Sequence, residues 1–176
     1  AGEGFSRNGI PSAVRTPAYP LFLAILYFLH LPMPWSILIL QNIITSLSGV
    51  ILYKIGKNLF SERAGMIAGV IYAIEPYMMV TSNLATTETL FNFLIICFFY
   101  FFSRFYISGS KKKDLVLASL FLGLATLTRP VALYAILLVA LLLTIRFLIF
   151  SRDIKKLTRS FLLFFLVFLG VLFPWS

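Results

Sequence analysis

Apolar runs that alternate with short basic segments constrain this chain more than any motif does. Twelve of its fifteen Lys and Arg residues fall between Lys54 and Arg63, Arg104 and Lys113, or Arg146 and Arg159. Apolar stretches separate these segments, so the basic loops mark one membrane face, and the positive-inside rule makes that face cytoplasmic. The three remaining arginines and three of the six acids collect on the opposite side. They are Glu3, Arg7, Arg15, Glu75, Glu88 and Arg129, and Pro20, Pro76, Pro130 and Pro174 interrupt the apolar runs there.

With 60% hydrophobic residues, 19 Phe, 12% charged residues and a mean hydropathy of +0.97, the chain lies outside the range of soluble domains. The fold class expected is all-α, a polytopic membrane protein. A net charge of +9 sits in juxtamembrane loops, where it sets topology and meets lipid headgroups, so membrane lipids and not nucleic acid are the partners it implies. Cys97 is a single cysteine in an apolar run, which excludes an internal disulfide and a zinc cluster and leaves a packed or lipid-facing thiol. The chain starts at Ala1 and stops just after an apolar run, which reads as a piece of a longer protein; the polar, glycine-rich start lacks the pattern of a signal peptide.

Residues 1–18 read as an outer loop broken by glycine and proline. Residues 19–30 form a short apolar helix closed by Leu31-Pro32-Met33-Pro34. Twelve helical residues cover about 18 Å, short of the ~30 Å hydrocarbon core, so this helix is interfacial or re-entrant. Transmembrane helices are expected at 34–53, 65–81, 88–105, 114–128, 131–147 and 161–175, about six in all. Trp35 and Trp175 both fall at the outer interface of this arrangement. The run ending at Thr128-Arg129-Pro130 is short, and a guanidinium and freed carbonyls there need protein or water around them. No internal repeat is evident.

Glu88 opens a helix in Thr86-Thr87-Glu88-Thr89, where a first-turn acid favours the helix dipole. At the membrane edge it is also a candidate substrate contact or metal ligand. Glu75, before Pro76, is expected to face a cavity or to pair with Arg129 or Arg15. Arg129, at a broken helix end, suits a phosphate gripped through parallel hydrogen bonds, or else reaches toward headgroups. Arg15-Thr16-Pro17-Ala18-Tyr19-Pro20 adds a cation and an aromatic ring just outside the membrane. Glu75, Glu88 and Arg129 are expected to converge on one outward cavity. His30 reads as a surface cap and Lys111 to Lys113 as a topology signal.

Five segments in order resemble a known family: Gly2-Glu3-Gly4-Phe5-Ser6, Arg15 to Ala24, Thr87-Glu88-Thr89-Leu90-Phe91, Gly123 to Pro130, and Phe173-Pro174-Trp175. They are similar to membrane glycosyltransferases of the GT-C fold, in the dolichyl-phosphate-mannose protein mannosyltransferase and aminoarabinose transferase branch, prokaryotic form. The resemblance implies a partial GT-C transmembrane bundle in a prokaryotic plasma membrane, with its active site on the extracytoplasmic face. It would move a sugar from a polyprenyl-phosphate donor to a protein, lipid or glycan acceptor.

The resemblance also places the family's catalytic acid upstream of Ala1, so no catalytic residue is assigned within this chain and the piece alone is expected to be inactive. Arg15, Tyr19, Glu75, Glu88 and Arg129 are the substrate-binding candidates. Glu88 matches a position that holds a divalent metal ion in some relatives, the one cofactor implied. A lipid-linked sugar transporter and a non-catalytic membrane scaffold are the alternatives. Against the first stand the one-sided charges and the lack of a repeat; against the second stands the clustering of the charges at one membrane edge.

Overall fold

The computed structural model describes residues 6–7, 10–11, 16–32, 34–108, 112–146, 148–149 and 154–175. The fold is all-α. Among the described residues eight α-helices follow in order: α1 (Ala18–Phe28), α2 (Trp35–Leu59), α3 (Glu62–Ile74), α4 (Pro76–Ser82), α5 (Thr87–Ser108), α6 (Lys112–Thr128), α7 (Ala135–Arg146) and α8 (Ile154–Leu172). Short 3-10 turns, Pro130–Tyr134 and Phe173–Trp175, precede α7 and follow α8. Within the expected 1–18 loop, Ser6–Arg7 and Ile10–Pro11 pair as a minimal antiparallel ladder.

Proline sets the breaks. A residue before proline is pushed out of the α region, and both Glu75 (φ −71°, ψ 116°) and Arg129 (φ −147°, ψ 122°) are extended. The span expected at 65–81 is therefore two helices, α3 and α4, bent by 55° at Glu75. The span expected to begin at 131 opens with a 3-10 turn. Ser61 starts α3 by accepting the Ala64 N–H at 3.2 Å, with Glu62 in the first turn.

By length and apolarity α2 and α5 qualify as membrane spans, and the bent α3–α4 pair as a third; α1, Pro130–Arg146 and Leu157–Leu172 are shorter apolar helices. The other expected spans thus correspond to helices whose length alone does not single them out. α2 runs on to Leu59, past the boundary expected at 53, and carries Lys54 and Lys57 in its last turns. Exposed apolar stripes, such as Trp35, Ile39, Ile43 and Val50 on α2 and Leu162, Leu166 and Leu169 on α8, suit a lipid surround.

α6 is the central helix. Leu115, Ala118, Leu122 and Ala125 are almost wholly buried among Phe98, Phe102 and Phe105 of α5, Val139 and Leu143 of α7, and Phe164 and Phe168 of α8. Small residues let these helices approach. Ser119 donates to the Phe164 carbonyl, and a Cβ on Gly123 would lie 2.8 Å from Val171. Cys97 of α5 is buried, which decides between the two readings of the thiol. The α2–α3 hairpin is closer still: a Cβ on Gly56 would sit 2.7 Å from the Gly65 Cα.

Hydrogen bonds fix which helix ends meet. Gln41 near the start of α2 reaches Thr86 at the start of α5, while Arg146 at the end of α7 donates to the Phe105 and Tyr106 carbonyls at the end of α5. The chain therefore runs up and down, and its charges sort to two ends. At the basic end Lys57 pairs with Glu62 at 2.9 Å, and Arg104 lies 3.6 Å from the buried Asp114. The basic segments consequently do structural work as well as marking topology.

Candidate functional site

At the other end, Glu88 and Arg129 meet. Glu88 stands in the first turn of α5, and Arg129 is the extended residue between α6 and Pro130. The Arg129 Nη2 donates to Glu88 Oε1, and its Nε lies 3.4 Å from Thr87 Oγ1. The guanidinium carbon also sits 5.8 Å from the centre of the Phe91 ring, one helical turn after Thr87. About 40% of the Arg129 side chain stays accessible against 21% for Glu88, so the fork is anchored on one side and open on the other. A guanidinium has five donor hydrogens, and these contacts leave donors for an anion.

Each half of the pair is tied to α1. Thr16 Oγ1 donates to the Thr128 carbonyl at 2.7 Å, one residue before Arg129. Tyr19, 7% exposed, accepts from Gln41 Nε2 at 3.3 Å, and the same nitrogen donates to the Thr86 carbonyl at 3.0 Å. The turn before α5 is further fixed by Thr89, which donates to the Thr81 carbonyl at 3.2 Å.

Of the expected site residues, the structure brings Glu88, Arg129 and Tyr19 to one end and leaves Glu75 out of the pair. Glu75 Oε2 accepts the Met78 N–H at 2.8 Å and caps α4, and it forms no ion pair among the described residues. The physical reason is local: Pro76 at the first helical position sets an extended Glu75 beside free N–H groups. Arg15 lies outside the described residues, as does Lys111. His30 is exposed at φ 53°, just past the end of α1; its N–H goes to the Tyr27 carbonyl and that of Leu31 to the Leu26 carbonyl. This is a Schellman ending made by the backbone, so His30 occupies the cap position without using its ring.

Two clefts near α4 have volumes of about 610 and 360 Å³ and share Asn42, Ser46 and Asn83 in their walls. Neither is lined by Glu75, Glu88 or Arg129. The donor set at Glu88 does not fit a metal: it offers one carboxylate already engaged by a guanidinium, and no group of three His, Cys, Asp or Glu side chains comes together among the described residues. Gln41 and Thr16 were not singled out from sequence, and Thr86 only as a candidate cap before Glu88. A signal existed for Gln41, since a primary amide inside an apolar run must find partners or a cavity.

The family model described as dolichyl-phosphate-mannose-protein mannosyltransferase matches residues 14–176. No curated protein matches the chain, and no solved structure does.

Proposed function

Because the chain belongs to the dolichyl-phosphate-mannose protein mannosyltransferase family, and so to a membrane glycosyltransferase of the GT-C type, we propose that it takes a sugar from a polyprenyl-phosphate donor and that Arg129 grips the donor's phosphate. The observation that carries this reading is the half-open guanidinium, held by Glu88 and Thr87 at the end of the bundle opposite the basic loops. By the positive-inside rule that end is extracytoplasmic; the resemblance to the family's prokaryotic form implies a plasma membrane, with the acceptor approaching from that face.

Glycosyl transfer breaks the bond from the anomeric carbon to the phosphate oxygen and forms one to an acceptor oxygen, whose proton, where the acceptor is a hydroxyl, passes to a base or to the departing phosphate. Charge builds on the departing phosphate. A cation fixed before the reaction stabilises that charge without reorganising, which lowers the barrier. Arg129 meets this need: Pro130 biases its position toward extended backbone, and Glu88 orients its fork. Glu88 acts by holding the guanidinium until phosphate competes for it. Membership of this family favours an enzyme over a transporter or scaffold.

The test is transfer from a radiolabelled polyprenyl-phosphate sugar by the full-length protein in reconstituted membranes. Arg129→Ala should lower kcat/KM about 10- to 150-fold, the equivalent of a charge-assisted hydrogen bond of about 1.5–3 kcal/mol. Arg129→Lys should recover part, since an ammonium restores charge without the planar fork. Full activity in Arg129→Ala would refute the assignment.

A further inference from the structure

Gln41 is 1% exposed, and its Oε1 has no hydrogen-bond donor among the described residues. A buried amide with an unsatisfied oxygen is destabilising, so packing alone would favour an apolar residue of the same size. What the amide supplies is a junction. Its single nitrogen joins α1 through Tyr19 and the turn before α5 through Thr86. Thr86 directly precedes Thr87 and Glu88, the residues that hold the Arg129 fork. On the other side Thr16, just before α1, is bonded to Thr128, the neighbour of Arg129. The start of α1 is thus fastened separately to the backbone beside each partner of the ion pair.

We infer that Gln41, Tyr19 and Thr16 form a bracket that sets the distance and angle between Glu88 and Arg129, which makes Gln41 and Tyr19 positioning residues. Tyr19 then serves the donor indirectly, because its oxygen is engaged by Gln41 and its ring is packed. α1 buries only Tyr19 and Leu26 while Leu21, Ile25 and Phe28 stay exposed, so the bracket is where its seating in the membrane reaches the site. This inference rests on reading Arg129 as the phosphate grip.

The experiment uses the full-length protein in reconstituted membranes with a labelled polyprenyl-phosphate sugar. Gln41→Leu keeps the bulk and removes both bonds. It should lower kcat at least about tenfold while the donor KM stays within about threefold, the signature of geometry that matters in the transition state. Hydrogen exchange should quicken at residues 84–90 and stay unchanged at 115–125, a readout independent of turnover. Gln41→Glu separates positioning from folding: its protonated carboxyl can donate to the Thr86 carbonyl and its carboxylate cannot. Activity of that variant should rise toward acid pH along a limb the wild type lacks.

Wild-type kcat with unchanged exchange in Gln41→Leu would overturn the bracket. So would a raised KM at constant kcat, which would make Gln41 a direct substrate contact. If Gln41→Leu loosens 115–125 as well, the decision passes to Gln41→Glu, and a pH profile parallel to the wild type overturns the inference. Full activity in Arg129→Ala would defeat the phosphate assignment instead, and the exchange comparison would still decide whether Gln41 braces the turn.

Discussion

Two glycines in this chain should respond to the same substitution with different signs. In Gly65→Ala the new Cβ would lie 2.5 Å from the Tyr53 carbonyl oxygen and 2.8 Å from the Lys57 nitrogen. Both are backbone atoms of α2, which cannot rotate away. The helices must separate by several tenths of an ångström, and overpacking of this kind costs about 1–3 kcal/mol. At Gly170 of α8 nothing lies within 4 Å of an added Cβ. There alanine should only gain, by about 0.5–1 kcal/mol, from its higher helix propensity. That propensity gain is common to both sites, so the difference between the variants isolates the helix contact and should be about 1–3 kcal/mol. Gly123→Ala should fall between, because its obstacle at 2.8 Å is the side chain of Val171, stiff but not backbone. Gly56→Ala and Gly65→Ala meet across one contact, so their costs should not add. Unfolding in mixed detergent micelles, followed by far-ultraviolet circular dichroism, gives the midpoints. If Gly65→Ala and Gly170→Ala shift stability equally, within about 0.5 kcal/mol, the α2–α3 contact is not as close as described.

Other substitutions test single features. His30→Gly should stabilise the end of α1 by about 1 kcal/mol, since glycine carries no penalty in the left-handed region; slower exchange of the Leu31 amide would report it. Arg146→Gln removes a cation from the Phe105 and Tyr106 carbonyls and should lower the unfolding midpoint by the equivalent of about 1.5–3 kcal/mol. A double-mutant cycle on Glu88→Gln and Arg129→Gln should show stability coupling under about 1 kcal/mol, because the guanidinium is 40% accessible. In the same cycle the coupling read from kcat/KM should be larger, since the fork's orientation acts on the transition state.

The sequence by itself determined the kind of solvent this protein needs and the order of its helices. Apolar runs too rich for water and basic segments too costly for lipid allow few other arrangements, and Pro76 and Pro130 bias Glu75 and Arg129 toward extended backbone, although Tyr19 before Pro20 stays helical at the start of α1. It also marked Glu88 and Arg129, because a charge at a membrane edge has to be explained. Tertiary structure decided the partners. Glu75 looked equivalent to Glu88, yet one N–H at the start of α4 takes its carboxylate, while Glu88 faces a guanidinium from a residue 41 positions away. The 55° bend, the α2–α3 contact through Gly56 and Gly65, and the placing of Gln41 between Tyr19 and Thr86 are likewise settled by packing. Periodicity and composition report what each residue avoids; which neighbour satisfies a buried donor depends on distances between helices that the chain fixes only when it folds.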